Sequence, residues 1–404
     1  MSLNRSEYHN QIHYYLALLI AFSLPFAKLT PVFIILMIAN WVIEGDLKNK
    51  FLHILHNKLA LLFISFYIIH LLGLLYTQNL NSGLFDIQVK LSLLIFPVIF
   101  SSKPFDESKT RIIGMMLIIG GIIASTIMLS RSIYLLYSNG ENTFFYQTFS
   151  IFLHPSYLSM YLNISISWIL ISISQNNLPK KQNRYLILVI LLFSVVIILL
   201  ASKSGIFTLT LTFLLFLSYL ILYKKNYKMG AIVLIGFVGI LFFVFHYFPF
   251  TSKRITQLTE AFENKDIKNN EVVESTSMRM LIWKASNSVI KNNFALGVGT
   301  GDSKDELIKE YKKRDMTYAV SSNLNAHNAF YQVFISLGVG GFLLLCLNLL
   351  IPLLSSLKNK NFFYLSFILI LTFNFLSESM LECQAGTMFF GFFNSLLCFY
   401  KPKQ

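Results

Sequence analysis

An all-α, polytopic membrane fold of about twelve transmembrane helices is predicted by three observations. Hydrophobic residues make up 55% of the 404 and charged residues 13%, with a mean hydropathy of +0.61, too apolar for a soluble domain of this length. Apolar runs recur at lengths near the roughly 20 residues that cross a bilayer as helix. Lysine and arginine collect in alternate connecting segments, the pattern that retention of positive charge on the cytoplasmic side produces.

The longest runs are Leu59 to Tyr76, Ile112 to Leu136, Tyr185 to Ala201, Ile206 to Tyr223 and Ala231 to Phe248. Shorter ones are His13 to Phe26, Pro31 to Ile43, Val89 to Phe100, Tyr157 to Ile173, Phe330 to Leu354, Phe362 to Leu376 and Ala385 to Tyr400. With the N-terminus inside, the inner segments carry Lys48, Lys50 and Lys58, then Lys103, Lys109 and Arg111, then Lys180, Lys181 and Arg184, then Lys224, Lys225 and Lys228. Lys358, Lys360, Lys401 and Lys403 follow the same rule. Both termini are therefore expected in the cytoplasm, and the polar segment 248–328 outside, between spans nine and ten. The chain divides into spans one to nine (1–247), this extracytoplasmic helical loop (248–328) and spans ten to twelve (329–404).

The formal net charge of +14 is expected to serve membrane orientation and anion affinity; no nucleic-acid-binding module is visible. Cys346 and Cys398 lie in apolar spans and Cys383 in an outer turn, so no disulfide framework is expected. The first apolar stretch has no small-residue cleavage site after it and reads as a retained span. No internal repeat is evident.

Within the outer loop, Phe262 to Glu274 is acidic, lysine-bearing and poor in large apolar residues, a loosely packed excursion. Met278, Leu281, Ile282, Ala285 and Val289 then recur at helical spacing on a helix starting near Ser275. Arg279 and Trp283, four apart, are neighbours beside that stripe, at headgroup level on a surface helix. Gly297-Val298-Gly299-Thr300-Gly301-Asp302 follows; with no strand before it, a tight structural turn is favoured over a phosphate loop. Ser303 and Glu306 have capping-box spacing on a second helix, which ends in Lys312-Lys313-Arg314.

Chemistry is sought where the loop re-enters the membrane, at Asn325-Ala326-His327-Asn328. An imidazole there can keep one nitrogen hydrogen-bonded and offer the other as a base; a satisfied interfacial histidine is the alternative. His154 before Pro155 is a second such histidine, with the structural reading favoured. Lys203, in the turn Ala201-Ser202-Lys203-Ser204-Gly205, either pairs with an anion such as a phosphate or snorkels. Arg279 can grip phosphate in a bidentate manner or act as an interfacial anchor. Glu378 and Glu382, in the last outer turn, either orient a histidine or a cation or face water. Gly338, Gly340 and Gly341 allow close helix packing. No His, Cys, Asp and Glu set has metal-ligand spacing.

At these residues the chain resembles the O-antigen ligase and O-antigen polymerase superfamily, bacterial membrane enzymes acting on polyprenyl-diphosphate-linked glycans. The resemblance is most specific at Ser202-Lys203-Ser204-Gly205, at Arg279-x-x-x-Trp283 leading into Gly297-Val298-Gly299, and at Asn325-Ala326-His327-Asn328 followed by Gly338 and Gly341. It implies that His327 is the base activating an acceptor hydroxyl without a metal or cofactor, and that Arg279 binds the undecaprenyl diphosphate of the donor. Lys203 stands where the family usually has arginine, keeping the charge but not the planar fork, and Asn292-Asn293-Phe294-Ala295 lacks the proline common before the glycine loop. His154, Asn325, Asn328 and Glu378 are expected in support. The implied activity is a metal-independent, inverting glycosyltransferase at the periplasmic face of the inner membrane, its partners a lipid-linked glycan donor, a lipid A-core or glycan acceptor and membrane lipids. A ligase onto lipid A-core is expected first, a polymerase of lipid-linked repeat units second and a protein oligosaccharyltransferase third. A transporter or flippase is disfavoured, because neither two related halves nor midplane ionisable residues are evident.

Overall fold

The computed structural model describes residues 5–175, 179–247 and 275–401. Among these residues all regular secondary structure is helical, apart from one isolated bridge between Asp106 and Lys401. In chain order the helices are α1 (Arg5–Ser23), α2 (Thr30–Ile43), α3 (Leu47–His56), α4 (Lys58–Gly73), α5 (Leu80–Lys90), α6 (Ser92–Ser102), α7 (Glu107–Asn139), α8 (Tyr146–Phe149), α9 (Pro155–Ser174), α10 (Lys180–Leu199), α11 (Lys203–Ser218), α12 (Tyr227–Tyr247), α13 (Ser275–Asn292), α14 (Ser303–Lys313), α15 (Thr317–Ser321), α16 (Ala329–Lys358), α17 (Phe362–Ser377) and α18 (Gln384–Phe399).

A helix lies at every one of the twelve predicted spans. Among the described residues seven helical stretches are long and apolar enough to cross a membrane by themselves, and an eighth results if α2 and α3, which meet at 110°, form one broken span. The bend falls at Gly45 and Asp46, both in left-handed backbone (φ 83° and 54°). The remaining candidates are shorter or less apolar, so the count of twelve rests on the sequence pattern rather than on length.

The centre of the bundle is α9, which packs against α7, α10, α11 and α17. Its buried Asn163 reaches a neighbouring helix: Nδ2 donates to the Gly205 carbonyl (3.0 Å) and to Thr208 Oγ1 (2.9 Å). Such bonds matter in an apolar bundle, where an unpaired amide has no water to turn to. Gly205 fits because a β-carbon there would come within 2.4 Å of Ser159 Oγ. These contacts fix the start of α11, and with it Lys203.

A second, smaller core forms beyond the bundle. The predicted stripe packs against protein: Met278, Leu281, Ile282, Ala285 and Val289 of α13 are buried with Leu307 and Tyr311 of α14, Met316, Ala319, Ala326 and Ile335. Each large side chain in it contributes about 1.5–3 kcal/mol by leaving water, enough to hold three short helices as a unit. Residues 248–274, including Phe248-Pro249-Phe250 and the acidic stretch from Phe262 to Glu274, lie outside the described residues.

The glycine loop joins the two cores, and it corrects two expectations. Gly338 does more than permit helix packing: at φ 63°, ψ −160° it breaks α16. The carbonyls of Ile335 and Ser336 then accept from Val298 N (2.8 Å) and Gly299 N (2.9 Å), and Val339 N donates to the Phe294 carbonyl (2.9 Å). Backbone freed inside an apolar region is thus paired again. A β-carbon on Gly338 would lie 2.3 Å from the Ala295 carbonyl oxygen, so the approach needs glycine. The capping box is also absent. Asp302, not Ser303, precedes α14, and its carboxylate accepts from Gln78 N (2.7 Å) and Asn79 N (2.8 Å), clamping the turn after α4 instead.

Candidate functional site

Four chain segments converge at one end of the bundle: the start of α9, the start of α11, the first turns of α13, and the 325–328 turn beside residues 378–379. Their meeting point is Glu378. This carboxylate is 8% exposed and takes Arg279 NH2 at 2.5 Å on Oε1 and His327 Nδ1 at 3.2 Å on Oε2. Ser156 Oγ donates to Oε1 at 3.4 Å and also meets Ser202 Oγ at 3.2 Å. Burial pushes the carboxyl pKa up, but the hydrogen bond from His327 and the nearby Arg279 charge, with smaller help from His154, outweigh it and hold it below the ordinary carboxylate value. Glu378 is accordingly an anion in the fold.

His327 sits in left-handed backbone (φ 46°), a strained conformation for a residue with a β-carbon. The two asparagines explain how it is held. Asn325 Oδ1 accepts from His327 N (3.0 Å), closing a local turn. Asn328 caps α16 through Oδ1 to Phe330 N (2.9 Å) and Tyr331 N (3.1 Å), while its Nδ2 donates to the Leu376 carbonyl (3.0 Å) and its N to Ser379 Oγ (3.1 Å). Trp283 Nε1 fixes the turn from the other side by donating to the Ala326 carbonyl (3.0 Å). Both asparagines thus act through the backbone. With Nδ1–H donated to Glu378, a neutral imidazole presents Nε2 with its lone pair.

Arg279 and Lys203 lie at one cavity of about 560 Å³. Its polar lining includes these two cations together with Lys284, Thr276 and Asn287; its apolar lining is Phe207, Met280, Trp283, Phe373 and Leu376. Lys203 Nζ donates to Thr276 Oγ1 at 2.7 Å, and Ser202 caps α11 by accepting from Gly205 N (3.3 Å), so the Ser-Lys-Ser-Gly turn sets the lysine on the first residue of its helix. One guanidinium N–H faces Glu378, leaving other donors for an anion. A cationic mouth above an apolar wall suits an amphiphile with an anionic head. A larger polar cavity, of about 760 Å³ between the turn at Tyr76 to Asn79 and α14, contains none of the predicted site residues.

All seven predicted site residues therefore fall in this region: His327, Glu378 and Arg279 are directly linked, Lys203 shares a cavity with Arg279, and Asn325 and Asn328 shape the turn. His154 stands at the edge. Its Nδ1 caps α9 by accepting from Ser156 N at 3.4 Å, a structural use. Sequence reasoning missed Ser156, Thr276 and Gln332. Gln332 was discoverable as a polar residue one turn into an apolar span; the serine and the threonine carry no such signal. Among the described residues no group of three or more His, Cys, Asp and Glu is placed to hold a metal ion.

The arrangement is thus a helical membrane protein in which a His–Glu–Arg constellation stands beside a cavity lined by cations and apolar side chains. Residues 187–346 match the family model described as O-antigen ligase. The matched stretch runs from α10 into α16 and carries Lys203, Arg279 and His327, so this part of the chain is similar to that family. That similarity points to a glycosyltransferase-like enzyme handling lipid-linked glycans in a membrane. Comparison with curated proteins finds no match.

Proposed function

We propose that the protein is a ligase transferring a finished glycan from undecaprenyl diphosphate to a lipid A-core acceptor at the periplasmic face of the inner membrane. The observation that carries this reading is the sharing of one buried carboxylate by His327 and Arg279, of which Arg279 also lines a cavity with Lys203 and several apolar side chains. The cavity would take the first isoprene units against Phe207, Phe373 and Leu376, with the diphosphate between Arg279 and Lys203. His327 Nε2 takes the proton from the acceptor hydroxyl as its oxygen bonds to the anomeric carbon. The bond from that carbon to the diphosphate breaks, and its electron pair leaves on a phosphate oxygen that the two cations stabilise. Glu378 orients the imidazole and stabilises its protonated form. Direct displacement inverts the anomeric carbon and needs no enzyme-bound glycosyl intermediate. Metal-independence is part of the proposal, because the two cations supply the charge the leaving group requires. The charge pattern of the connecting segments supports cytoplasmic termini and an outer site.

The same residues would serve a polymerase, and one experiment separates the two. The gene is deleted in its host and the surface polysaccharide analysed. A ligase leaves long lipid-linked chains and uncapped lipid A-core; a polymerase leaves single repeat units attached. Unchanged surface glycan rejects both.

A further inference from the structure

Beyond the diphosphate site, the most elaborate polar construction among the described residues is a buried chain of hydrogen bonds behind the 325–328 turn. The Gln332 side chain is 2% exposed and fully engaged. Its Oε1 accepts from Ala326 N (3.2 Å), and its Nε2 donates to Ser303 Oγ (2.9 Å) and to Glu382 Oε2 (3.3 Å). Glu382 Oε1 in turn accepts from Lys90 Nζ at 3.0 Å, and Lys90, 1% exposed, also pairs with Asp86. Burying the Lys90 charge and the Gln332 amide against partly buried carboxylates is costly and confers little net stability compared with apolar residues of the same size. A construction of this kind is better understood by what it holds in place.

What it holds is the residue before His327. The turn at 325–328 is secured on the Glu378 side by Asn328 and Ser379 and on the α13 side by Trp283. The Ala326 amide is the remaining tether, and it faces Gln332. His327 takes positive φ, so a free turn would relax toward commoner backbone and swing the imidazole away from Glu378.

We propose that Gln332, fixed by Glu382 and Lys90, is a positioning residue for His327: its amide holds the Ala326 N–H, so that the strained turn keeps the imidazole on Glu378. The inference rests on the transferase reading for its kinetic consequence but not for its structural one. Arg279 and Lys203 are held by other contacts, so the network bears on turnover and not on donor binding.

The test uses the full-length protein in detergent or vesicles, with lipid-linked glycan extracted from the host as donor probe. Two quantities are measured: hydrogen–deuterium exchange at the amides of residues 325–328, and the kcat and donor KM of transfer. Gln332→Met should speed exchange at 325–328 but not along α13, and lower kcat by about 10- to 100-fold, the penalty for a misplaced group, at unchanged donor KM. Glu382→Ala should do the same. Glu382→Gln, which keeps a carbonyl acceptor for Gln332, should recover at least half of wild-type turnover. Unchanged exchange at 325–328 overturns the proposal, as do equal loosening of every helix, a loosened turn with normal kcat, or a fall confined to KM. If the wild-type protein transfers nothing from this donor, the transferase reading fails, while the exchange data still decide whether Gln332 holds the turn.

Discussion

Glu378 and Glu382 lie four residues apart in the connection between α17 and α18, and the fold surrounds them in opposite ways. Glu378 is paired with Arg279 and His327, side chains 19% and 27% exposed, and Arg279 borders a cavity. Glu382 is paired with Lys90, whose side chain is 2% exposed, and with the buried Gln332. The first carboxylate holds groups that can also meet a ligand; the second holds groups that meet only protein. Their protonation differs accordingly. Glu378 is held below the ordinary carboxylate value, whereas burial, helped by Asp86, lifts Glu382 above it against the pull of Lys90. Two like residues in one connection thus divide into a ligand-facing carboxylate and a protein-facing one, by the exposure of their partners.

The strongest way to break this distinction is His327→Ala. If Glu378 orients a working base, the substitution lowers transfer by roughly 10²–10⁴-fold, the range for a lost general base, with membrane insertion and the thermal midpoint close to wild type. The imidazole carries no core packing, so a loss of folded protein comparable to the loss of activity would make His327 a structural residue and the comparison empty. The assay is transfer from the lipid-linked donor, with folded protein quantified in parallel by size-exclusion chromatography.

Arg279→Lys probes the other partner and should act less strongly. Lysine keeps the charge but replaces a planar fork with a single ammonium, so one charge-assisted hydrogen bond of about 1.5–3 kcal/mol is lost, roughly a 10- to 100-fold fall in kcat/KM for the donor. The fall should appear mainly as weaker donor use. A purely interfacial anchor would leave donor KM unchanged.

How much of this was legible beforehand follows from the type of signal. The helices were, because apolar runs and a 3.6-residue stripe are local properties: α13 buries the five predicted residues. The candidate residues were too, since His, Arg and Lys stand out at the ends of apolar runs. Their linkage was not. The pairing of Glu378 with Arg279 joins residues 99 apart in sequence, and no spacing encodes it. The break at Gly338 was missed because its compensating donors come from Val298 and Gly299, far along the chain. Lys90, one residue into an apolar run, was a signal passed over; an ionisable group there asks for a partner. Ser303 has capping-box spacing, yet Asp302 precedes the helix and its carboxylate serves a different segment, since local rules cannot see a competing backbone donor.

The gentlest test compares the two carboxylates by pH. For Glu378, whose folded pKa is lowered, the stabilisation is fully present above the unfolded value of about 4.3 and is lost as pH falls through the lower folded value. For Glu382, whose folded pKa is raised, the sign reverses: its contribution is greatest at low pH and is lost as pH rises from that same unfolded value toward the folded one. Thermal unfolding in detergent, followed across the carboxylate range, should therefore respond to the two isosteric substitutions in opposite directions. Glu378→Gln removes part of the loss of stability on acidification; Glu382→Gln removes part of the loss on raising pH. Parallel profiles for the two variants would mean that both carboxylates sit in equivalent environments, and the division between a ligand-facing and a protein-facing anion would not hold.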